Sequence, residues 1–322
     1  MITTGLYDSV LIAPCLDGAN ELKIISGFAT SAMASCHIAD LQNRNQNVKI
    51  SLLLGMCPSD GISLGNHRGF QSLVSDNQSN FTCSYISQAP PVHGKLYIWY
   101  RNNQLYKTFI GSANYTQNAF FEKQREILAE FSDDDLLQYY TDLESESVYC
   151  NCDEVEGLIR IRNDKNYYRQ HPNEDIVGIE PIFDTKGLES ATVSLVDRDG
   201  NVPRHSGLNW GHRDTYNRDK NQAYLSLSPE VYRSDFFPPK PQHFTIITDD
   251  QKAIICVRAQ KSEVGNAIHS RINNQLGEYM RNRLGLASGA LVERTHLDKH
   301  GRTDVVFYKL DNENYYMDFS NT

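Results

Sequence analysis

His93 and Lys95 stand two residues apart at the head of an apolar run, His93–Tyr100, HGKLYIWY, and the chain returns through Gly111-Ser112-Ala113-Asn114. On an extended strand, residues two apart share a face, so His93, Lys95, Tyr97 and Trp99 point one way. If the chain folds back about Arg101-Asn102-Asn103-Gln104, His93 comes to lie opposite Ser112 and Lys95 opposite Ile110, with Asn114 just past the strand end. An imidazole, a cation, a hydroxyl and an amide then meet at one end of a hairpin. That group suits phosphoryl transfer. A neutral imidazole, with an ordinary pKa near ~6.5, attacks phosphorus at neutral pH. Lys95 and Asn114 hold the non-bridging oxygens and the charge that builds in the transition state. Ser112 and the Gly111 backbone approach the phosphate closely. Glu126, with Glu130 as second choice, supplies a carboxylate to bond the far imidazole nitrogen and fix its tautomer.

The elements that must position these groups follow from the apolar pattern. LKIISGFA (22–29), VKISLLLGM (48–56), FTCSYIS (81–87) and EILAEF (126–131) read as strands, as does VLIAP (10–14). Helical spacing covers 31–42 and 67–75. Strands alternating with helices predict an α/β sheet covered on both faces. The acidic stretch 130–156 reads as a solvated helical face. From about 176 the pattern changes to short strands with turn signals: ATVSLV before DRDGN, and two hairpins, FTIIT–AIICVRAQ and DVVFYKL–YYMDF. One helix is expected between them, Leu276–Leu286. This predicts domains at 1–160 and 181–322 joined by a linker over 161–180, the second being mostly β, a barrel or sandwich.

The 322 residues carry a net charge of −9, but unevenly: −10 over 1–184 and +1 over 185–322. The second part is free to build local basic patches. One patch lies in 204–222: Arg204, Asn209, His212, Arg213, Asn217 and Arg218. Another lies in 269–283: Arg271, Asn273, Asn274, Arg281 and Arg283. Arg pairs with guanine and Asn with adenine in the major groove, and long basic side chains also clamp phosphates. Two solvated loops would have the same composition. The seven cysteines are expected to be buried and reduced, because C-N-C (150–152) has no standard zinc spacing. No signal-peptide pattern and no apolar run of membrane length is visible, so a cytoplasmic protein is expected. Neither a P-loop nor a carboxylate set with Mg²⁺-ligand logic is present near the hairpin.

The arrangement H-x-K…G-S-x-N followed by Glu resembles the HKD motif of the phospholipase D superfamily, through His93, Lys95, Gly111, Ser112, Asn114 and Glu126. Where that family usually carries an Asp, seven residues after the His, this chain has Tyr100; a nuclease branch also lacks that Asp. SGLNWGHR…NQAYLSL, FFPP…FTIITDD, NNQLGEYMRNRLGL and GRTDVVFYKLDNENYYMDF resemble the C-terminal domain of NgoFVII-type restriction endonucleases, which are similar to the BfiI kind. The resemblance implies an α/β phospholipase D-like nuclease and dimerisation domain, then a B3-like pseudobarrel that inserts two arms into the major groove, here 204–222 and 269–283. It implies hydrolysis of DNA through a phosphohistidine, without a metal cofactor. Members use two H-x-K motifs per site, and none of the other nine histidines has Lys at +2, so a homodimer with one shared site is expected. The alternative is a nuclease and DNA-recognition subunit that depends on a helicase-like ATPase partner, in a system with a cognate DNA methyltransferase. ATP would then enter only through that partner.

Overall fold

The computed structural model describes residues 1–321 except 122, 133–134, 163–177, 180–184, 214–216 and 260–264. Most of the expected linker, 161–180, therefore lies outside the described residues. The chain divides into two compact units, Met1–Phe183 and Asp184–Thr322.

In the first unit, apolar runs form the strands β1 (Glu21–Ser26), β2 (Lys49–Leu54), β4 (Phe81–Ile86), β5 (Lys95–Arg101), β6 (Gln104–Gly111), β7 (Leu128–Glu130) and β8 (Ser147–Tyr149). They make one sheet in the order β7-β6-β5-β1-β2-β4-β8. β1, β2 and β4 are parallel neighbours, while β5 runs antiparallel to β1. A smaller sheet joins β3 (Ile62–Ser63), β9 (Arg160–Arg162) and β10 (Gly178–Ile179). β5 is buried almost end to end. Both its faces are therefore covered, as a continuous apolar run requires. On one face Leu96, Ile98 and Tyr100 pack with Ile25, Leu53 and Ile86 under Tyr140 and Leu143. Those two residues belong to the helix Leu136–Ser145, so this part of the acidic stretch is a helix that buries two apolar residues. On the other face the Trp99 indole donates to the Val10 carbonyl at 2.8 Å.

That contact exposes a departure from the sequence reading. VLIAP is no strand: Tyr7–Ile12 forms a wide helical turn that continues into the helix Ala13–Leu16. A short continuous apolar run looks the same as helix or strand. Pro14, tolerated in a first helical turn, does not decide between them. The helices expected at 31–42 and 67–75 are present as Ser31–Asn43 and Leu64–Asp76, capped by the side chains of Thr30 and Ser63. Six of the seven cysteines are buried, and all are free thiols.

The hairpin turns where expected. Asn102 and Asn103 have φ of 50° and 64°, the left-handed pair that a two-residue hairpin turn demands. The register differs by one, however. Leu96, not Lys95, faces Ile110, because β6 carries an irregularity opposite Trp99/Tyr100 that leaves Tyr106 unpaired.

The second unit holds a seven-stranded sheet in the order β11-β16-β17-β13-β14-β15-β12. The strands are β11 (Ser190–Ser194), β12 (Leu225–Ser226), β13 (His243–Thr248), β14 (Ala253–Ala259), β15 (Ala267–Ser270), β16 (Asp304–Lys309) and β17 (Asn314–Asp318). Its two edges, β11 and β12, approach one another, so the sheet curls into a nearly closed barrel. Side chains such as Phe237, Phe244, Ile246, Phe307, Tyr315 and Met317 fill the interior. Both expected hairpins are present, β13–β14 and β16–β17. The expected helix is Gln275–Arg283, and a further helix, Arg294–His300, went unread.

Asn103→Val places a β-branched residue at φ 64°. It should destabilise the first unit by about 1–2 kcal/mol, read as a lower denaturant midpoint for that unit.

Candidate functional site

The five residues singled out at the hairpin gather at the carboxyl ends of the parallel strands, where open α/β sheets place their sites. β1 ends at Ser26, and β5, running the other way, begins opposite it: Ser26 pairs with Lys95. His93 is exposed just before the strand, and Lys95 is 6% exposed. Lys95 Nζ donates to the His93 carbonyl at 2.6 Å, so the cation also secures the backbone of the histidine. Burial lowers the Lys95 pKa, and the nearby Glu126 charge opposes that shift.

Ser112 and Asn114 follow β6. Gly111 is glycine for a packing reason: a Cβ there would sit 2.0 Å from the Ile127 carbonyl. This strand contact, rather than phosphate access, requires a residue without a side chain. Ser112 Oγ donates to Glu126 Oε2 and accepts from the Ile127 N–H at 3.0 Å. Among the described hydrogen bonds Glu126 thus serves Ser112 rather than the expected His93 ring. Asn114 Oδ1 accepts from the Phe28 N–H at 3.1 Å and lies 3.5 Å from Ser26 Oγ. Both acceptor contacts fall on Oδ1, which leaves the Nδ2 donors for an anion.

The segment joining these groups, Ser26-Gly27-Phe28, did not stand out in the sequence. A Cβ on Gly27 would lie 2.8 Å from His93 Cδ2 and 3.3 Å from Lys95 Nζ. The Phe28 ring meets the His93 ring edge-on, with centroids 5.9 Å apart and planes at 76°. The available signal was small: S-G-F directly after a buried parallel strand. Tyr100, where the related family usually has Asp, lies at the far end of β5, about 23 Å along a strand from His93. It is a core residue, 6% exposed. What the site offers is an exposed imidazole, a buried cation, a carboxylate-bound hydroxyl and an oriented amide at one end of the sheet.

The polar stretches of the second unit divide by burial. Asn209 and Arg281 are wholly buried, so neither presents its side chain to a ligand. Asn209 Nδ2 donates to the Pro203 and Val292 carbonyls, and its Oδ1 accepts from the Val292 N–H. Arg281 donates to the carbonyls of Ala290, Gly277 and Leu208 at 2.7, 3.0 and 3.1 Å. Arg283 forms an ion pair with Asp249 at 2.6 Å. These three side chains, expected at a DNA surface, are instead engaged with the protein's own backbone and with Asp249. Asn274 donates to Asp219 at 3.0 Å, and a Cβ on Gly277 would meet the Asn221 carbonyl at 1.9 Å. The two stretches are therefore joined at their roots into one block. Arg204, Arg213, Asn217 and Asn273 remain exposed, and His212, Arg218 and Arg271 are half-buried. Arg218 lies over the Trp210 ring at 4.1 Å and donates to Gln222. Burial, Lys220 and Arg281 together lower the His212 pKa, which makes that ring a neutral hydrogen-bonding group.

The fold and the site define a nuclease of the phospholipase D type joined to a B3-like DNA-binding barrel. Two family models carry this: the NgoFVII restriction endonuclease N-terminal PLD domain matches residues 4–157, and the NgoFVII C-terminal B3-like DNA-binding domain matches residues 184–311. The chain belongs to the NgoFVII restriction endonuclease family. Among solved structures it is similar to NucT from Helicobacter pylori, at 18% identity and a TM-score of 0.33, over 46% of this chain and 96% of that one. It is also similar to the polyphosphate kinase from Porphyromonas gingivalis, at 12% identity and a TM-score of 0.31, over 45% and 22%. No curated protein matches the chain. No described helix is long and apolar enough to cross a membrane.

The pH response of Lys95 should have a definite sign. Its lowered pKa means that its charge is lost at a lower pH than for a free lysine. Activity should fall on the alkaline side accordingly. Glu126→Gln removes the charge that supports protonation, so in that variant the alkaline limb should move to lower pH, read from a pH–rate profile.

Proposed function

We propose that this chain is a site-specific DNA endonuclease that works through a phosphohistidine at His93, without a metal. Its active site is completed by a second copy of the same chain. The observation that carries this reading is a single His-x-Lys half-site, its imidazole exposed, in a chain that also carries a DNA-binding domain. An His93 ring nitrogen attacks the scissile phosphorus, forming N–P as the P–O bond to the leaving strand breaks. The partner copy's imidazole protonates the departing oxygen. Water then attacks the phosphohistidine, releasing the 5′ or 3′ phosphate end and restoring the ring. Lys95 and the Asn114 amide bear the charge on the non-bridging oxygens, and Glu126 keeps the Ser112 hydroxyl in place. The second unit selects the site, with Arg204, Arg213, Asn217, Arg218, Arg271, Asn273, Asn274 and His212 as the groups nearest a duplex.

The test is to incubate pure protein with mixed-sequence DNA in EDTA, with and without ATP, and to sequence the ends. Cleavage at one sequence in EDTA, an acid-labile DNA adduct on His93 and loss of both in His93→Ala are expected. Cutting by His93→Ala would overturn the reading. Cutting only with ATP and an added helicase-like subunit would keep the chemistry and favour the complex, with its cognate methyltransferase, over the lone enzyme.

The recognition block should separate into two behaviours. Arg213→Ala should weaken binding to all duplexes and reduce the salt slope by about one, with the unfolding midpoint unchanged. Arg281→Leu removes the side-chain donor from the Ala290 and Leu208 carbonyls and should destabilise the second unit by on the order of 3 kcal/mol.

A further inference from the structure

The end of β1 and the two residues after it, Ser26-Gly27-Phe28, run beside the half-site. Ser26 Oγ donates to the Phe28 carbonyl at 2.5 Å and accepts from the Tyr115 N–H at 2.9 Å. Ala29 forms a bridge with Tyr115, and the Thr30 N–H donates to the Tyr115 carbonyl at 3.2 Å. The segment is therefore tied to the loop that carries Asn114. Within it, Phe28 touches two members of the catalytic set at once. Phe28 is 39% exposed; its backbone N–H donates to Asn114 Oδ1, and its ring stands edge-on to the His93 ring. Gly27 beside it has only hydrogen where any side chain would collide with His93 Cδ2. His93 itself is exposed, and among the described residues the ring it meets is Phe28. An exposed imidazole on a strand lead-in has several rotamers of similar energy. Attack on phosphorus needs one of them, with the nitrogen lone pair aimed in line.

We propose that Ser26-Gly27-Phe28 is the positioning element of this site. Phe28 sets the orientation of the His93 ring and of the Asn114 amide, and Gly27 leaves the room that this orientation requires. The proposal rests on His93 being the nucleophile. Phe28 acts through His93 and Asn114; it makes no bond to the reacting atoms. An edge-on aromatic pair contributes little to fold stability at an exposed site. Its loss should therefore appear in rate and not in folding.

The experiment uses the full chain under the condition in which it cuts, with cognate duplex DNA as the probe. It compares Phe28→Ala, Phe28→Tyr, Gly27→Ala and His93→Ala. Single-turnover cleavage, duplex affinity, the pH–rate profile and the yield of His93 adduct are read together. Phe28→Ala and Gly27→Ala should lose about ten- to a hundredfold in cleavage rate. Duplex affinity and the unfolding midpoint should stay within twofold and one degree of wild type, roughly the scatter expected of a surface change. The acidic limb of the pH profile should move in Phe28→Ala, and Phe28→Tyr should restore both rate and limb. Full rate in Phe28→Ala, with the His93 adduct forming and His93→Ala inactive, would overturn the positioning role alone. So would a loss confined to duplex affinity, which would make Phe28 a contact to DNA. Cutting by His93→Ala would overturn the nucleophile reading, and the positioning role with it.

Discussion

The first unit depends on one strand pairing. β5 lies antiparallel against the end of β1, so that Lys95 faces Ser26. Were β5 parallel to its neighbour, as β2 and β4 are to theirs, His93 would sit at the opposite edge of the sheet from Gly27 and Phe28. The antiparallel choice brings the lead-in of one strand to the exit of another. The hairpin to β6 then returns Ser112 and Asn114 to the same edge. Burial enforces the pairing: β5 is covered on both faces, and a slip of one residue would turn Leu96, Ile98 and Tyr100 out of their cluster. The cost of holding a lysine at 6% exposure is offset by the His93 carbonyl and by Glu126 nearby.

The second unit handles its irregular loops in a similar way, through buried guanidinium groups. Arg281 donates to the Ala290 and Leu208 carbonyls outside its own helix, and Arg258, 3% exposed, donates to those of Gly265, Phe237 and Tyr232. A planar group with five donors can bind several carbonyls of a loop at once. Loops built this way are rigid at the base and polar at the rim. That is what a surface needs if it is to present Arg213 and Asn217 to a duplex without ordering them at the moment of binding.

Much of the fold was legible because the apolar runs are long and the turn residues strong. Asn102-Asn103 marked its hairpin turn, and the parallel strands announced themselves by unbroken Leu, Ile and Val. VLIAP misled because five apolar residues in a row have no periodicity to read. The hairpin register was displaced by the extra residue at Tyr106, which no pattern of residue types reveals. In the recognition stretches Arg and Asn marked polarity correctly but not direction. Asn209, Arg281 and Arg283 are consumed inside the protein, while Arg204 and Arg213, of the same types, face out.

The residue types at His93, Lys95, Ser112, Asn114 and Glu126, with their spacing, were enough to name phosphoryl chemistry, because few combinations of side chains can attack and hold a phosphate. The sequence alone also showed that one chain carries only one such set. Which partner each group takes was decided by the tertiary structure. Glu126 went to Ser112, Lys95 to the His93 backbone, and Asn114 and the His93 ring to a Gly-Phe pair sixty-five or more residues earlier in the chain. Those pairings depend on which strands become neighbours and in which direction they run. That follows from packing the whole sheet, and no local stretch of sequence contains it.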